Sequence, residues 1–428
     1  MQVNEKGHLL LGGCDAVDLA GEFGTPLYVI DEAAVRRNCR LFRQAFPRVI
    51  YASKALMTMA ICRLVEEEGL CLDVVSGGEL YTALAAGFPP ERIYFHGNNK
   101  SRDELALALE AGVGQIVVDN FWELELLAGL TEGMGRGADI FLRVTPGIEA
   151  HTHEYIKTGQ IDSKFGFTLP GGQALQAVKA VADIPGLRLR GLHSHIGSQV
   201  FQVQPYAEAA GVLMDFLDEV RENTGLVLEE INLGGGFGIY YVPGDAPLPP
   251  AVYGQAVQAV VGEKAREYGL PEPRVAVEPG RSIVGPAGTT LYTVGSIKEI
   301  TGVRRYVAVD GGMADNIRPA LYQARYRAVL ANRVYDGPQE VVSITGKCCE
   351  SGDMLIWDAE LPALKPGDLV AVLCTGAYGY SMASNYNRLP RPAMVLVRDG
   401  QADRIVRRET YQDLVSHDVM PARLRTGS

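Results

Sequence analysis

The chain has 428 residues, 47% hydrophobic and 21% charged, with a formal net charge of −11. That is long for one compact domain, fits an α/β barrel on the order of 250 residues plus a second domain, and argues against disorder. The acidic balance, without clusters of Lys and Arg, disfavours nucleic acid, and no run approaches the roughly 20 apolar residues of a membrane span.

The opening MQVNEKGHLLLGG has one short apolar triplet and lacks the basic-then-apolar pattern of a signal peptide, so a cytoplasmic location is expected. The cysteines at 14, 39, 62, 71, 348, 349 and 374 are odd in number and show no CxxC spacing. Neither a disulfide framework nor a metal cluster is indicated. TPLYVID is strand-like before a first helix begins near Asp31.

From residue 26 to 285, short β-branched runs alternate with longer helical patterns, as repeated βα units do. The runs are VIYASKAL (49–56), CLDVVSGG (71–78), RIYFHGNN (92–99), QIVVDN (115–120), DIFLRVTPG (139–147), LRLRGLHSHIG (187–197), EEINLGGGFG (229–238) and RVAVEPGRS (274–282). Between them, segments such as GELYTALAAG and YAEAAGVLMDFLDEVREN repeat apolar residues at three and four positions. Eight units predict a (β/α)8 barrel, with a doubly wound sheet as the alternative. After residue 286 the runs TTLYTVGSIKEI, RRYVAVDGG, QEVVSITG, DLVAVLCTG and AMVLVRDG lack long helices between them and predict a β domain over 286–428. Residues 1–25 are expected to join it, and the strand-like TPLYVID is open to joining it as well.

A barrel places its chemistry at the carboxyl ends of its strands. There this sequence puts Lys54, Asp73, His193, His195, Gly234 to Gly236, Glu278 and Arg281. Taken singly, each has a plain reading: a surface lysine, a turn of glycines, a satisfied structural histidine. Together they describe more. A desolvated lysine suits a Schiff base, glycine backbone approaches an anion closely, and a carboxylate can hold a protonated ring nitrogen. His195 offers an imidazole to stack on a planar ring and Ser198 a hydroxyl for a phosphate, whereas His193 reads equally as structural.

YASKA, HSHIGSQ, GGGFG, EPGR, CESGD and CTGAYGYSMASNYN, in register along nearly the whole chain, resemble the fold-type III pyridoxal-phosphate decarboxylases. HTHEYIKTGQIDSKFG (151–166) resembles the branch of that family acting on meso-diaminopimelate. The resemblance implies an alanine racemase-like β domain beside the barrel, pyridoxal 5'-phosphate as cofactor, and a homodimer with shared active sites. It implies that Lys54 carries the cofactor, that His195 stacks on its ring, and that Ser198, Gly235 and Gly236 contact its phosphate. Glu278 falls to the pyridine nitrogen, with Asp73 and Gly280 also in the cofactor site and Arg281 serving cofactor and substrate. Arg318 and Tyr322 match the pair on the substrate's distal carboxylate. Cys349, the candidate acid, and Glu350 match residues supplied by the opposite subunit, and Tyr378 one that touches cofactor and substrate.

GKCCES departs from the usual pair before CES, and the following Ser351, Gly352 and Asp353 set the register in favour of Cys349. The implied reaction is decarboxylation of meso-2,6-diaminopimelate to L-lysine and carbon dioxide. A related decarboxylase of ornithine, lysine, arginine or carboxynorspermidine is the alternative, against which an Arg318 and Glu350 clamp argues. A catalytically dead homologue would be expected to have lost Lys54 or Cys349.

Overall fold

The computed structural model describes residues 1–147 and 163–425. Its Cα packing separates residues 33–286 from a second unit of residues 1–32 with 287–428.

In the first unit, eight parallel strands occupy the eight runs read from the sequence: β1 (Arg48–Ala52), β2 (Cys71–Val74), β3 (Ile93–Phe95), β4 (Gln115–Val118), β5 (Ala138–Thr145), β6 (Leu187–His193), β7 (Glu230–Asn232) and β8 (Arg274–Val277). Each pairs with its successor, and β8 pairs with β1 through Ala276 to Arg48 and Val277 to Val49, which closes the barrel. Ile50, Tyr94, Val117, Phe141 and Ala276, from five strands around the circle, form one buried cluster. Because strand side chains alternate, these positions fix which parity of each strand points inward.

The helices begin where strands end. Ser76 caps Gly77–Ala85, Ser101 and Glu104 form a capping box on Arg102–Ala111, and Asn120 caps Phe121–Met134. Each supplies an oxygen to an amide of the first turn that would otherwise lack a partner. Left-handed Gly112 and Gly135 terminate the last two.

The second unit is a sheet in the order Met354–Leu361, Glu340–Thr345, Arg304–Val309, Gly288–Ile300, Leu27–Asp31, Ala393–Arg398, Gln401–Val406. The 13-residue strand Gly288–Ile300 organises it, pairing with Arg304–Val309, Leu369–Leu373 and Leu27–Asp31. Leu27–Asp31 lies inside the 26–285 span expected for the barrel. It is instead a sheet strand, because Gly288–Ile300 takes one edge and Ala393–Arg398 the other. Its core gathers Leu27, Val29, Leu291, Ala371, Val395 and Val397.

Close packing overrides local propensity at Gly254, inside the barrel-unit helix Pro250–Tyr268. Alanine would favour an isolated helix there by about 1 kcal/mol. A Cβ at this position, however, would sit 2.4 Å from the backbone oxygen of Ala45. Gly254→Ala should therefore destabilise the chain by about 1–3 kcal/mol; a raised urea midpoint would show that propensity wins.

Candidate active site

Glu278 follows β8 and shares the inward parity of Ala276, so its carboxylate enters the barrel mouth. Asn232 Nδ2 donates to its Oε1 at 2.7 Å, His96 Nε2 lies 2.9 Å from that same oxygen, and His193 Nε2 lies 3.1 Å from Oε2. The two imidazoles meet edge to face, centroids 4.7 Å apart. Burial alone would raise the pKa of Glu278, but His96 and His193 beside it hold the carboxyl well below the usual range. Glu278 is thus a buried, ionised carboxylate. Burial pushes His193 down to about 4, so this imidazole is neutral at pH 7.

Around Glu278 the other expected residues assemble. Gly235 donates its amide to His195 Nδ1 at 3.2 Å, which assigns that nitrogen as the acceptor and Nε2 as the protonated one in the neutral ring. Burial, followed by the Lys54 cation, holds the His195 pKa well below its ordinary value. Arg281 donates from Nη1 to the Tyr241 hydroxyl at 2.9 Å and from Nη2 to Ser198 Oγ at 2.8 Å. The glycines answer a packing demand: a Cβ would lie 2.2 Å from the Glu278 oxygen at Gly235 and 2.2 Å from the Gly197 oxygen at Gly236, where φ is +102°. A Cβ at Gly280 would lie 2.9 Å from the Ala52 oxygen and 3.0 Å from the Cβ of Ala55, the neighbours of Ser53 and Lys54.

Lys54 occupies the single 3-10 turn Ser53–Ala55 directly after β1, with its side chain exposed in the chain. Its charge reaches Asp73, Glu79 and His195. Burial raises the pKa of Asp73, and His96 and Lys54 oppose that rise. Asp73 is fully enclosed at the end of β2, and its Oδ1 has no donor among the described residues.

Five members of this cluster escaped the sequence reading: His96, Asn232, Arg143, Asp119 and Tyr241. Four carried a signal in strand parity. Asn232, Arg143 and Asp119 lie two residues beyond inward-facing Glu230, Phe141 and Val117, and His96 lies two beyond Tyr94.

Arg318, Tyr322, Cys349, Glu350 and Tyr378 belong to the sheet unit. Arg318 and Tyr322 stand at the two ends of one helical turn, Arg318–Tyr322. Arg318 is buried and donates from Nη1 to the Tyr326 hydroxyl, a partner the sequence reading missed. Cys349 and Glu350 are exposed on a loop pinned at both cysteines: the Cys348 amide donates to Asp353 Oδ2 and the Cys349 amide to Asn387 Oδ1, each at 2.7 Å. Tyr378 is half-buried with φ +58°. Of HTHEYIKTGQIDSKFG, residues 151–162 lie outside the described residues.

A closed parallel barrel with a lysine, a buried carboxylate and an arginine–serine pair at its mouth is the architecture of a pyridoxal-dependent enzyme. Residues 32–285 match the family described as pyridoxal-dependent decarboxylase, pyridoxal binding domain. A diaminopimelate decarboxylase of Bacillus subtilis is 57% identical over 422 residues, 97% of this chain and 96% of its own length. One of Halalkalibacterium halodurans is 54% identical over 98% of this chain and 97% of its own. A crystal structure of diaminopimelate decarboxylase from M. jannaschii in co-complex with L-lysine superposes with a TM-score of 0.93 at 37% identity, covering 99% of this chain and 98% of that one. The chain belongs to the pyridoxal-dependent decarboxylases, in their diaminopimelate decarboxylase branch.

The depressed pKa of His193 sets a pH window. Folded His193 resists protonation until about pH 4, whereas the unfolded imidazole takes a proton near its ordinary 6.5. Its contribution is complete above that value and is lost as the pH falls from 6.5 toward 4, by up to on the order of 3 kcal/mol. His193→Asn should flatten the fall of stability over this interval, measured by urea unfolding; parallel curves for the two proteins would rule the assignment out.

Proposed function

We propose that this chain decarboxylates meso-2,6-diaminopimelate to L-lysine and carbon dioxide with pyridoxal 5'-phosphate, as a cytoplasmic homodimer that shares its active sites. The observation that carries the reading is the buried, ionised Glu278 facing the barrel mouth at whose rim Lys54 stands. It fits the protonated nitrogen of a pyridine ring, and Asp73 Oδ1, enclosed without a protein donor, fits a second polar group of the same ligand. Arg281 with Ser198, beside the Gly235–Gly236 backbone, fits a phosphate. No helix among the described residues is long and apolar enough to cross a membrane.

When bound, the cofactor supplies the electron sink that takes up the electron pair left by the departing carboxylate. Lys54 would hold it covalently. His195 would offer the cofactor's ring a neutral imidazole, and Glu278 would hold the proton at the ring nitrogen. Arg318 binds the substrate's distal carboxylate through two parallel N–H donors, and Tyr322 and Glu350 orient the distal head group. That recognition separates diaminopimelate from ornithine, arginine, lysine and carboxynorspermidine, which lack a distal amino-acid head group. Cys349 Sγ gives the proton that completes the reaction at Cα, reaching it from the opposite subunit.

Lysine and carbon dioxide formation measured over a panel of diaminopimelate, ornithine, arginine, lysine and carboxynorspermidine tests the reading. Turnover confined to diaminopimelate is expected; preference for another member would overturn the substrate. Lys54→Ala should lower turnover by about a thousandfold or more and abolish the visible absorbance of bound cofactor. Arg318→Lys keeps a charge but not the planar fork, and should raise KM for diaminopimelate about tenfold or more while kcat changes less. An unaltered KM would remove Arg318 from the distal carboxylate.

A further inference from the structure

His96 and His193 have no part in the chemistry just described, yet both lie against the carboxylate on which it depends. We propose that they are a positioning pair acting through Glu278, holding its carboxylate in place for the cofactor's ring nitrogen, with His193 doing so through a neutral ring that leaves the carboxylate's charge uncancelled. The proposal rests on the function set out above.

The geometry covers both oxygens from three strands. Oε1 receives Asn232 Nδ2 from β7 at 2.7 Å and faces His96 Nε2, beyond β3, at 2.9 Å; Oε2 faces His193 Nε2, at the end of β6, at 3.1 Å. The edge-to-face contact between the rings means that neither can turn without meeting the other. The backbone that leads into Glu278 is held between β7 and β1.

The choice of imidazole decides the electrostatics. A guanidinium would hold the carboxylate more strongly, but it would cancel the charge and repel a proton on the ring nitrogen. A neutral imidazole gives a hydrogen bond and leaves the net charge at −1. His193 meets this requirement. Its Nε2 faces an ionised acceptor and so carries the proton, while its Nδ1 is buried with no hydrogen-bond partner among the described residues. Among the described residues no carboxylate hydrogen-bonds Nδ1 to stabilise a second proton there. The other charged or titratable groups around Glu278 are Asp73 from β2, Arg143 from β5, His195 beyond β6 and Lys54 beyond β1. Arg143 lies 4.0 Å from Asp119 and over the Phe165 ring at 4.2 Å, and its cation acts most strongly on Asp119 and then on Glu278 and Asp73.

A residue that acts through Glu278 leaves a distinct signature. His193→Leu in the holoenzyme should lower kcat about tenfold to hundredfold with KM nearly unchanged, because a hydrogen bond to a buried charge is lost. His193→Gln, which restores an N–H donor, should recover most of that loss. Two readouts need no turnover: the pH midpoint of the bound cofactor's visible absorbance should move, and release of pyridoxal phosphate should quicken. In a Glu278→Gln background the same His193→Leu change should add less than about twofold to any of these effects, since the group it acts through is gone.

Losses that multiply in the double variant, or equal losses with Leu and Gln, would overturn the proposal. So would an absorbance titration and release rate that match the parent protein. If His193→Leu does not fold, His96→Leu, with His96→Gln as the variant that restores a donor, carries the same cycle. Failure of the functional reading is separable: turnover of a different amino acid by the parent protein would discard diaminopimelate while the absorbance and release measurements still judge the histidines.

Discussion

Everything at the barrel mouth depends on keeping one negative charge where water does not reach. Removing a carboxylate from water costs several kcal/mol even after relaxation, and unsupported it would take a proton instead. Glu278 escapes that outcome because neighbours on β3, β6 and β7 face it within about 3 Å. Those neighbours depend on register. His193 pairs with Asn232 across β6 and β7, and Asn232 with Ala276 across β7 and β8. A slip of one residue in any of these pairings would send the side chain to the helix-facing side. Closure of β8 on β1 then sets Gly280 against Ala52 and Ala55, which brings the Lys54 turn to the same rim. The chemistry is therefore a consequence of strand alignment before it is one of any individual side chain.

The opposite mouth of the barrel shows the same inward parity put to structural use. Arg48, Gln115, Asp139, Arg190, Glu230 and Arg274 line a cavity of about 200 Å³ there, with Phe141 and Glu229. Its arginines all face carboxylates. Arg190 meets Asp139 at 3.0 Å and Glu229 at 2.8 Å, and Arg48 and Arg274 approach Glu230 at 3.4 and 3.8 Å. The Tyr94 hydroxyl, which accepts from Arg48, donates to Glu230 as well. Charges balanced in this way hold strand ends together. At the carboxyl-end mouth, by contrast, Asp73 Oδ1, Ser194 Oγ and His193 Nδ1 are enclosed without hydrogen-bond partners among the described residues. Gln115 Oε1 is the unmatched atom of the first mouth, whereas several stand together near the carboxyl end, which agrees with the end at which this fold is expected to carry its chemistry.

The legible part of the fold was the part with strong local patterning. Each barrel strand combines an apolar run with a following Gly, Ser or Asn, and each emerged as a parallel strand. In the sheet unit the strands at Ala328–Leu330, Met354–Leu361 and Gln401–Val406 were not read. The first is three residues long, Gln401–Val406 carries charged and exposed positions through its first half, and the apolar run that opens Met354–Leu361 gives way after four residues to Asp, Ala and Glu. The site divides along similar lines. Lys54, His195, Gly235, Glu278 and Arg281 lie in compact motifs, whereas His96, Asn232 and Arg143 are single polar residues whose meaning depends on closure. Their alternation with inward-facing neighbours was present in the sequence, but only pairing β8 with β1 turns alternation into convergence on one point.

The glycine triplet shows why a motif can carry both kinds of information. GGGFG reads as a turn that admits an anion, yet in the folded chain no side chain could stand at Gly235 or Gly236 whatever is bound. The carbonyl oxygens of Glu278 and Gly197 lie 2.2 Å from where their Cβ atoms would be. That same close approach brings the Gly235 amide to His195 Nδ1, fixing the tautomer of an imidazole that is expected to meet a ring face. Tyr206 donates its hydroxyl to the Gly235 oxygen at 3.0 Å, so both backbone polar groups of Gly235 are tied. A larger residue would displace β7 from β8, release the His195 ring and disturb the backbone at Glu278 in one step. The glycines are thus required first by the barrel, and the binding surface they offer exists because the barrel requires them.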